Sequence, residues 1–330
     1  MTCRIHSANC HFTKTKRPQY LLLYTFLVLL LSILTFSSTL FICGTPGLAS
    51  YSFSKAVSSA MSELALNSEF QKFVSDNYPF SVPYCSSALN YPTTSPIPSS
   101  VKELVMCTHI HETFDVWTVL YRRVAQGIID HLNAKYQLSL TPKYLGINTT
   151  TGYFINLKQA VDSEICDIVV SDTTFTDERS KLVSFASCGY GFSSDGFLRT
   201  ELDNSTLTGI YTISQLNRAD VKVSWYYGTI YDKIVNETLP LTQKMPVNNV
   251  DEQFQMVKQQ QIHALISDAV DLENWRLNNK ESCKTCYVKT FGTTFPFGVF
   301  TALKSEMSMV GVEWMMVLIV MILCMVNLLL

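Results

Sequence analysis

Three polar clusters stand where apolar runs end. In 167–185, DIVVSDTTFTDERSKLVSF, the run DIVVS is followed by Asp172, Thr174 and Arg179. In 221–229, VKVSWYYGT, the run ends on Gly228 and Thr229, and in 263–268, HALISD, it ends on Asp268. A guanidinium presents a planar fork of donors that fits a carboxylate, and a threonine hydroxyl can donate or accept. Glycine lets the backbone approach a ligand, and amides at a helix start favour an anion. Each cluster alone has an ordinary structural explanation. An arginine after Asp-Glu commonly makes a surface ion pair worth about 0–1 kcal/mol, and Gly-Thr or a lone aspartate at a helix start is common. Their shared placement at the ends of apolar runs favours the chemical reading.

The elements that must hold these residues alternate. Strands are expected over 104–108, 138–144, 167–171, 221–225 and 264–267. Helices are expected over 116–132, 154–161, 214–216, 230–236, 251–260 and 269–277, with a further one opening at Thr176. Thr176 has the look of an N-cap, with Asp177 and Glu178 in the first turn, which sets Arg179 near the carboxyl end of the preceding strand. Such alternation implies an α/β fold with largely parallel sheets, whose ligands bind at the carboxyl ends of the strands. Ahead of this body, Val57, Met61, Leu64, Phe70 and Phe73 are spaced for amphipathic helices. The stretch NYPTTSPIPSS over 90–100 is a linker that cannot hold a helix.

The spacing from the DIVVS strand through Thr174 and Thr176 to Arg179, then an apolar residue and Phe185, resembles bacterial solute-binding protein family 3. It is also similar to the ligand-binding core of ionotropic glutamate receptors. The resemblance covers roughly 101–303. It implies that Arg179 clamps the α-carboxylate of an amino acid and that Thr174 and the carbonyl of Asp172 hold its amino group. It further implies that Gly228 and Thr229 take the other side of the carboxylate and that Asp268 binds the ammonium. Relatives commonly carry Gly or Pro at the position of Asp172, so its side chain alters the preference. FDVWTVL over 114–120 is similar to the family's helix start, but the loop before it is short. His109, His111 and Glu112 stand where the family places an aromatic pocket wall. The terminal helices of the family are not found after the return strand expected at Phe297–Val299; residues 53–80 resemble them. That suggests a circular permutation, testable by whether Val57, Met61 and Leu64 pack on the first lobe.

Both ends of the chain are apolar. The stretch 20–43 has no charged residue and as a helix would be roughly 36 Å long, enough to cross a bilayer. Arg4, Lys14, Lys16 and Arg17 precede it and favour a cytosolic N-terminus over 1–19. It reads as a signal anchor or, with Gly47-Leu48-Ala49 as a cleavage site, a signal peptide. The stretch 309–330 reads as a transmembrane helix or a lipid-anchor signal. The main domain is thus expected to be lumenal or extracellular, which gives meaning to glycosylation sequons at Asn148, Asn204 and Asn236. In that compartment Cys85, Cys107, Cys166, Cys188, Cys283 and Cys286 are read as disulfide-bonded rather than metal-bound, with the pairing left open.

The fold class expected is α/β: a two-lobed, type II periplasmic-binding-protein-like domain over 101–304, with hydrophobic helices at both chain ends. Lobe one holds about 101–190 and 291–304, and lobe two about 196–288. The expected activity is capture of an amino acid or similar zwitterion by a membrane-anchored protein working with a transporter or signalling partner. It is not expected to be an enzyme, nor to hold a metal or cofactor. The formal net charge of −2 and the lack of a basic stripe exclude nucleic acid as a partner. A degenerate interaction module and a dehydratase-like enzyme are the alternatives.

Overall fold

The computed structural model describes residues 50–85, 89–109, 116–202 and 209–303. The expected apolar spans at 20–43 and 309–330, together with His111, Glu112 and Asn204, lie outside the described residues. No helix among the described residues is long and apolar enough to cross a membrane.

Helix α1 (Tyr51–Leu66) starts because the Ser50 hydroxyl accepts from the Phe53 amide, and it ends at Asn67. The Asn67 side chain then caps α2 (Ser68–Asn77) by accepting from the Phe70 amide. One polar residue thus stops one helix and starts the next. The chain continues through β1 (Glu103–His109), α3 (Val116–Tyr136), β2 (Thr141–Ile147), α4 (Tyr153–Asp162), β3 (Ile168–Val169), the single turn α5 (Asp177–Ser180) and β4 (Val183–Phe185). It crosses to a second sheet with β5 (Gly191–Arg199), β6 (Lys222–Tyr226), α6 (Tyr231–Thr238), β7 (Gln243–Val247), α7 (Val250–Lys258), β8 (Ala264–Asp268) and α8 (Ala269–Asn278). It returns through β9 (Tyr287–Phe297) into β10 (Phe300–Ala302).

The strand orders are β2-β1-β3-β10-β4 and β7-β6-β8-β5-β9. In the first sheet β1 is parallel to β2 and β3, whereas β10 runs antiparallel between β3 and β4. In the second, β6 is parallel to β7 and β8, and β5 is antiparallel to β8 and β9. Two α/β sheets, linked by one crossing through β5 and a return through β9, form the two-lobed arrangement that the resemblance implies. Because β5 and β9 pair with each other from Gly191↔Phe297 to Arg199↔Tyr287, the two crossings leave the second lobe as one ribbon.

Val57, Met61 and Leu64 of α1 are buried in one core with Leu104, Leu120, Val124 and Ile168 of the first lobe. The approach of α1 to α3 is close enough that a Cβ at Gly127 would lie 2.6 Å from the Leu64 side chain. Cys85 pairs with Cys188, Cys107 with Cys166 and Cys283 with Cys286. The Cys107–Cys166 bond ties β1 to the segment entering β3, and Cys85–Cys188 ties the segment after α2 to the crossing.

Two expected strands move. The strand expected at 138–144 lies at Thr141–Ile147, because Asn133 holds Leu140 in a turn by accepting from its amide (2.7 Å) and donating to its carbonyl (2.9 Å). The return strand expected at Phe297–Val299 is β10, three residues later. Phe297 instead ends β9 in the second sheet, paired with Gly191.

Candidate functional site

Arg179 owes its position to the Thr176 hydroxyl, which accepts from the Arg179 amide (3.1 Å) and fixes the turn after β3. Its side chain is 8% exposed. The guanidinium lies 4.7 Å from the centroid of the Phe154 ring and donates from Nη1 to the Thr174 carbonyl (3.2 Å). Among the described residues it makes no ion pair. Burial lowers its pKa, while the nearby Tyr153, Asp172, Tyr231 and Asp268 push it back. An arginine cannot shed its proton in a protein, so this cation has donors to spare in a site that removes it from water.

Asp268 closes β8 on the other lobe. Its Oδ1 is buried with no hydrogen-bond partner. Burial pushes its pKa well above the ordinary carboxylate range, and the carboxylates of Asp271, Asp172 and Asp195 add to the shift. Asp195 stands directly across from Asp268 in the antiparallel β5–β8 pair and is itself buried with a bare Oδ1. Burial raises its pKa to about 6, and contact with the Tyr231 hydroxyl offsets part of that rise.

Asp172, Asp268 and Asp271 bring one carboxylate oxygen each to within 4.8 Å of one another. The Tyr153 hydroxyl donates to Asp172 Oδ1 (2.8 Å), and the Trp117 indole donates to Asp271 across the lobes. His109 Nδ1 lies 2.7 Å from Ser171 Oγ and 3.7 Å from Asp172 Oδ1. His109, Asp172, Thr174, Arg179, Thr229 and Asp268 all line one inner cavity of about 50 Å³ between the lobes. Beyond Arg179 opens an outer groove of about 790 Å³, which shares Thr174, Arg179 and Thr229 with the cavity and adds Gly228, Phe154 and Tyr227.

Gly228 departs from its expected role. Its amide donates to Asp232 Oδ2 (2.7 Å), so it is not available to an anion. Its φ of +79° and its position, where a Cβ would lie 2.6 Å from Gly152 Cα, make it the point at which the two backbones meet. The Thr229 hydroxyl is likewise committed, donating to the Tyr226 carbonyl (2.6 Å). Other contacts also bridge the lobes: Thr149 Oγ1 with Tyr226 Oη (2.6 Å), the Phe154 amide to the Gly228 carbonyl (3.4 Å) and Lys233 with Glu178 (3.2 Å). The lobes are closed on each other.

Asn148 and Asn236 are exposed. Sequence reasoning missed Trp117, Tyr153, Tyr231, Asp195 and Asp271. Asp271 reads as one more acidic residue in a helix's first turn. Tyr153 and Tyr231 each open a helix, and that recurrence was the available signal.

No family model matches the chain, and no curated protein matches it. Among solved structures it is similar to an ancestral amino acid-binding protein, a precursor of cyclohexadienyl dehydratase, at 20% identity over 64% of this chain and 85% of that one, with a TM-score of 0.47. It is similar to an amino acid ABC transporter substrate-binding protein from Streptococcus pneumoniae bound to L-arginine, at 16% identity over 62% of this chain and 83% of that one, TM-score 0.48. A holo arginine-binding protein from T. maritima matches at 15% identity over 61% and 82%, TM-score 0.47. At such values the likeness assigns no ligand to this chain.

Proposed function

We propose that the chain is a two-lobed binding protein that holds an amino acid or similar small zwitterion between closing lobes. The observation that carries this reading is the buried Arg179, without an ion pair among the described residues, sharing a cavity with Asp268, whose inner oxygen is bare. A ligand carboxylate on Arg179 and a ligand ammonium on Asp268 would satisfy both at once, with Thr174 and the Asp172 carbonyl beside the ammonium. A buried charge left unpaired costs several kcal/mol, so ligand binding has a large term to supply. Thr229 lies at the same junction, while Gly228 serves the reading as the lobe contact. The chain acts by capture and release, with no turnover.

The membrane reading rests on the sequence alone. The charge-free 20–43 stretch and the apolar 309–330 stretch would hold the domain at a lumenal or extracellular surface, beside a transporter or signalling partner. Three disulfides suit that oxidising side, and exposed Asn148 and Asn236 are open to glycosylation there. Helices α1 and α2 pack on the first lobe as terminal helices of the fold would, which supports their displacement ahead of β1.

Thermal unfolding of the full chain against the common amino acids tests the binding reading, since a ligand for the folded form raises the midpoint as its concentration passes Kd. A rise in the parent that vanishes in Arg179→Ala is the expected result. No rise with any of them, from a folded protein, favours an interaction module with a degenerate pocket.

A further inference from the structure

Both chambers of the site are rich in acid. In the inner cavity Asp172, Asp268 and Asp271 stand against Arg179 and, when its ring is protonated, His109. In the outer groove Asp177, Glu178, Asp232 and Glu237 stand against Arg179 and Lys233. A neutral zwitterion adds no net charge to the two chambers taken together and leaves their summed acidic excess where it was.

The geometry of the three inner carboxylates is specific. An ammonium nitrogen directing its three N–H bonds tetrahedrally at acceptors about 2.8 Å away spaces those acceptors about 4.6 Å apart. Asp172, Asp268 and Asp271 hold three oxygens within 4.8 Å of one another. One of these groups, Asp268, has a fully buried oxygen with no protein partner. A divalent metal ion fits the site less well, because Arg179 lines the same cavity and repels a double charge more than an ammonium, whose ligand brings a carboxylate to that arginine. The Tyr153 hydroxyl and the Trp117 indole also already occupy acceptor sites on Asp172 and Asp271.

We infer that Asp172, Asp268 and Asp271 form a three-carboxylate cage for the α-ammonium of a ligand with net positive charge, a basic amino acid whose second cation lies in the outer groove. This inference rests on the binding reading above. The inner cavity of about 50 Å³ has room for an ammonium and not for a side chain. The carboxylate then meets Arg179 at the junction, and the side chain runs outward past Phe154 and Tyr227 toward Glu178 and Glu237. Burial and the neighbouring carboxylates raise the pKa of Asp268, and an ammonium placed among the three oxygens would offset that shift.

The test is isothermal titration of the full chain in detergent with L-lysine, L-arginine, L-alanine, L-glutamine and, separately, calcium alone. Lysine or arginine should bind at least about tenfold tighter than alanine and glutamine, as one charge-assisted contact requires. Affinity for all four amino acids should fall in Asp172→Asn and again in Asp271→Asn, while the preference for lysine and arginine should shrink in Glu237→Gln. If one variant fails to fold, the others and the panel on the unmodified chain still decide the matter. Equal or tighter binding of alanine or glutamine, abolished by Arg179→Ala, would overturn the charge inference while leaving the binding reading intact. Calcium bound by the unmodified chain and lost in Asp172→Asn would assign the cage to a metal and overturn it too. No binding of any amino acid would bring down both.

Discussion

On the first-lobe side of the cavity, Arg179 is fixed by the Thr176 cap, shielded by the Phe154 ring and joined to the Thr174 carbonyl. On the second-lobe side, Asp268 and Asp271 sit at the end of β8 and the start of α8, with Asp195 behind them on β5. The first side presents a cation whose geometry is settled by local hydrogen bonds. The second crowds like charges together and leaves oxygens bare. Crowding of that kind costs stability, because each buried carboxylate must keep a proton or find a cation. The contrast teaches that the second lobe is the strained partner, which a cation placed among its carboxylates would relieve.

Removing the fixed side should have the largest effect. Arg179→Ala should cost about 3–5 kcal/mol of binding, a loss of roughly a hundred- to several-thousandfold in Kd by titration. Arg179→Lys should recover only part of this, since an ammonium lacks the fork.

Relieving the strained side should raise stability. With a pKa of about 6 against an ordinary 3.8, Asp195 keeps its proton in the folded state between those values and loses it in the unfolded chain. The folded state therefore binds more protons there, and stability falls as pH rises from about 4 to 6 and stays lower above that. Asp195→Asn should raise stability at pH 7.5 by roughly 1–3 kcal/mol in denaturant unfolding and flatten that pH dependence. Its effect on ligand affinity should be small beside that of Arg179→Ala.

Gly228→Ala tests whether closure joins the two sides. A Cβ there would lie 2.6 Å from Gly152 Cα, at a φ of +79°. The strain of about 1–2 kcal/mol at that φ adds to the clash. Affinity should fall about tenfold or more, and the radius of gyration from small-angle scattering should rise. The smallest effect belongs to the exposed Lys233–Glu178 bridge. Lys233→Ala should change Kd by less than about twofold.

Much of this arrangement was legible in the residues. The strand-to-Arg179 segment carries its own cap, and Asp268 ends a run of buried β8 residues, so local signals place both. Strand β2 was misplaced because it is an edge strand, mostly exposed, and lacks an apolar face. The crossings β5 and β9 are rich in Gly, Ser, Thr and Phe and hold together by pairing with each other, a long-range fact that no window of sequence contains. Asp195 was invisible for the same reason. It lies in the polar run SSDG, and only register with β8 brings it to Asp268. Gly228 was read as a ligand contact because a glycine before a helix fits two roles. The nearby Asp232 and the facing Gly152 decide between them.

The most direct test is calorimetry on the unmodified chain with its tightest-binding amino acid and with the amine left when that amino acid loses its carboxylate. If the carboxylate sits on the buried Arg179, the amine should bind at least about a hundredfold more weakly. Equal affinity for the two would contradict the account, because the buried guanidinium would then play no part in holding the ligand.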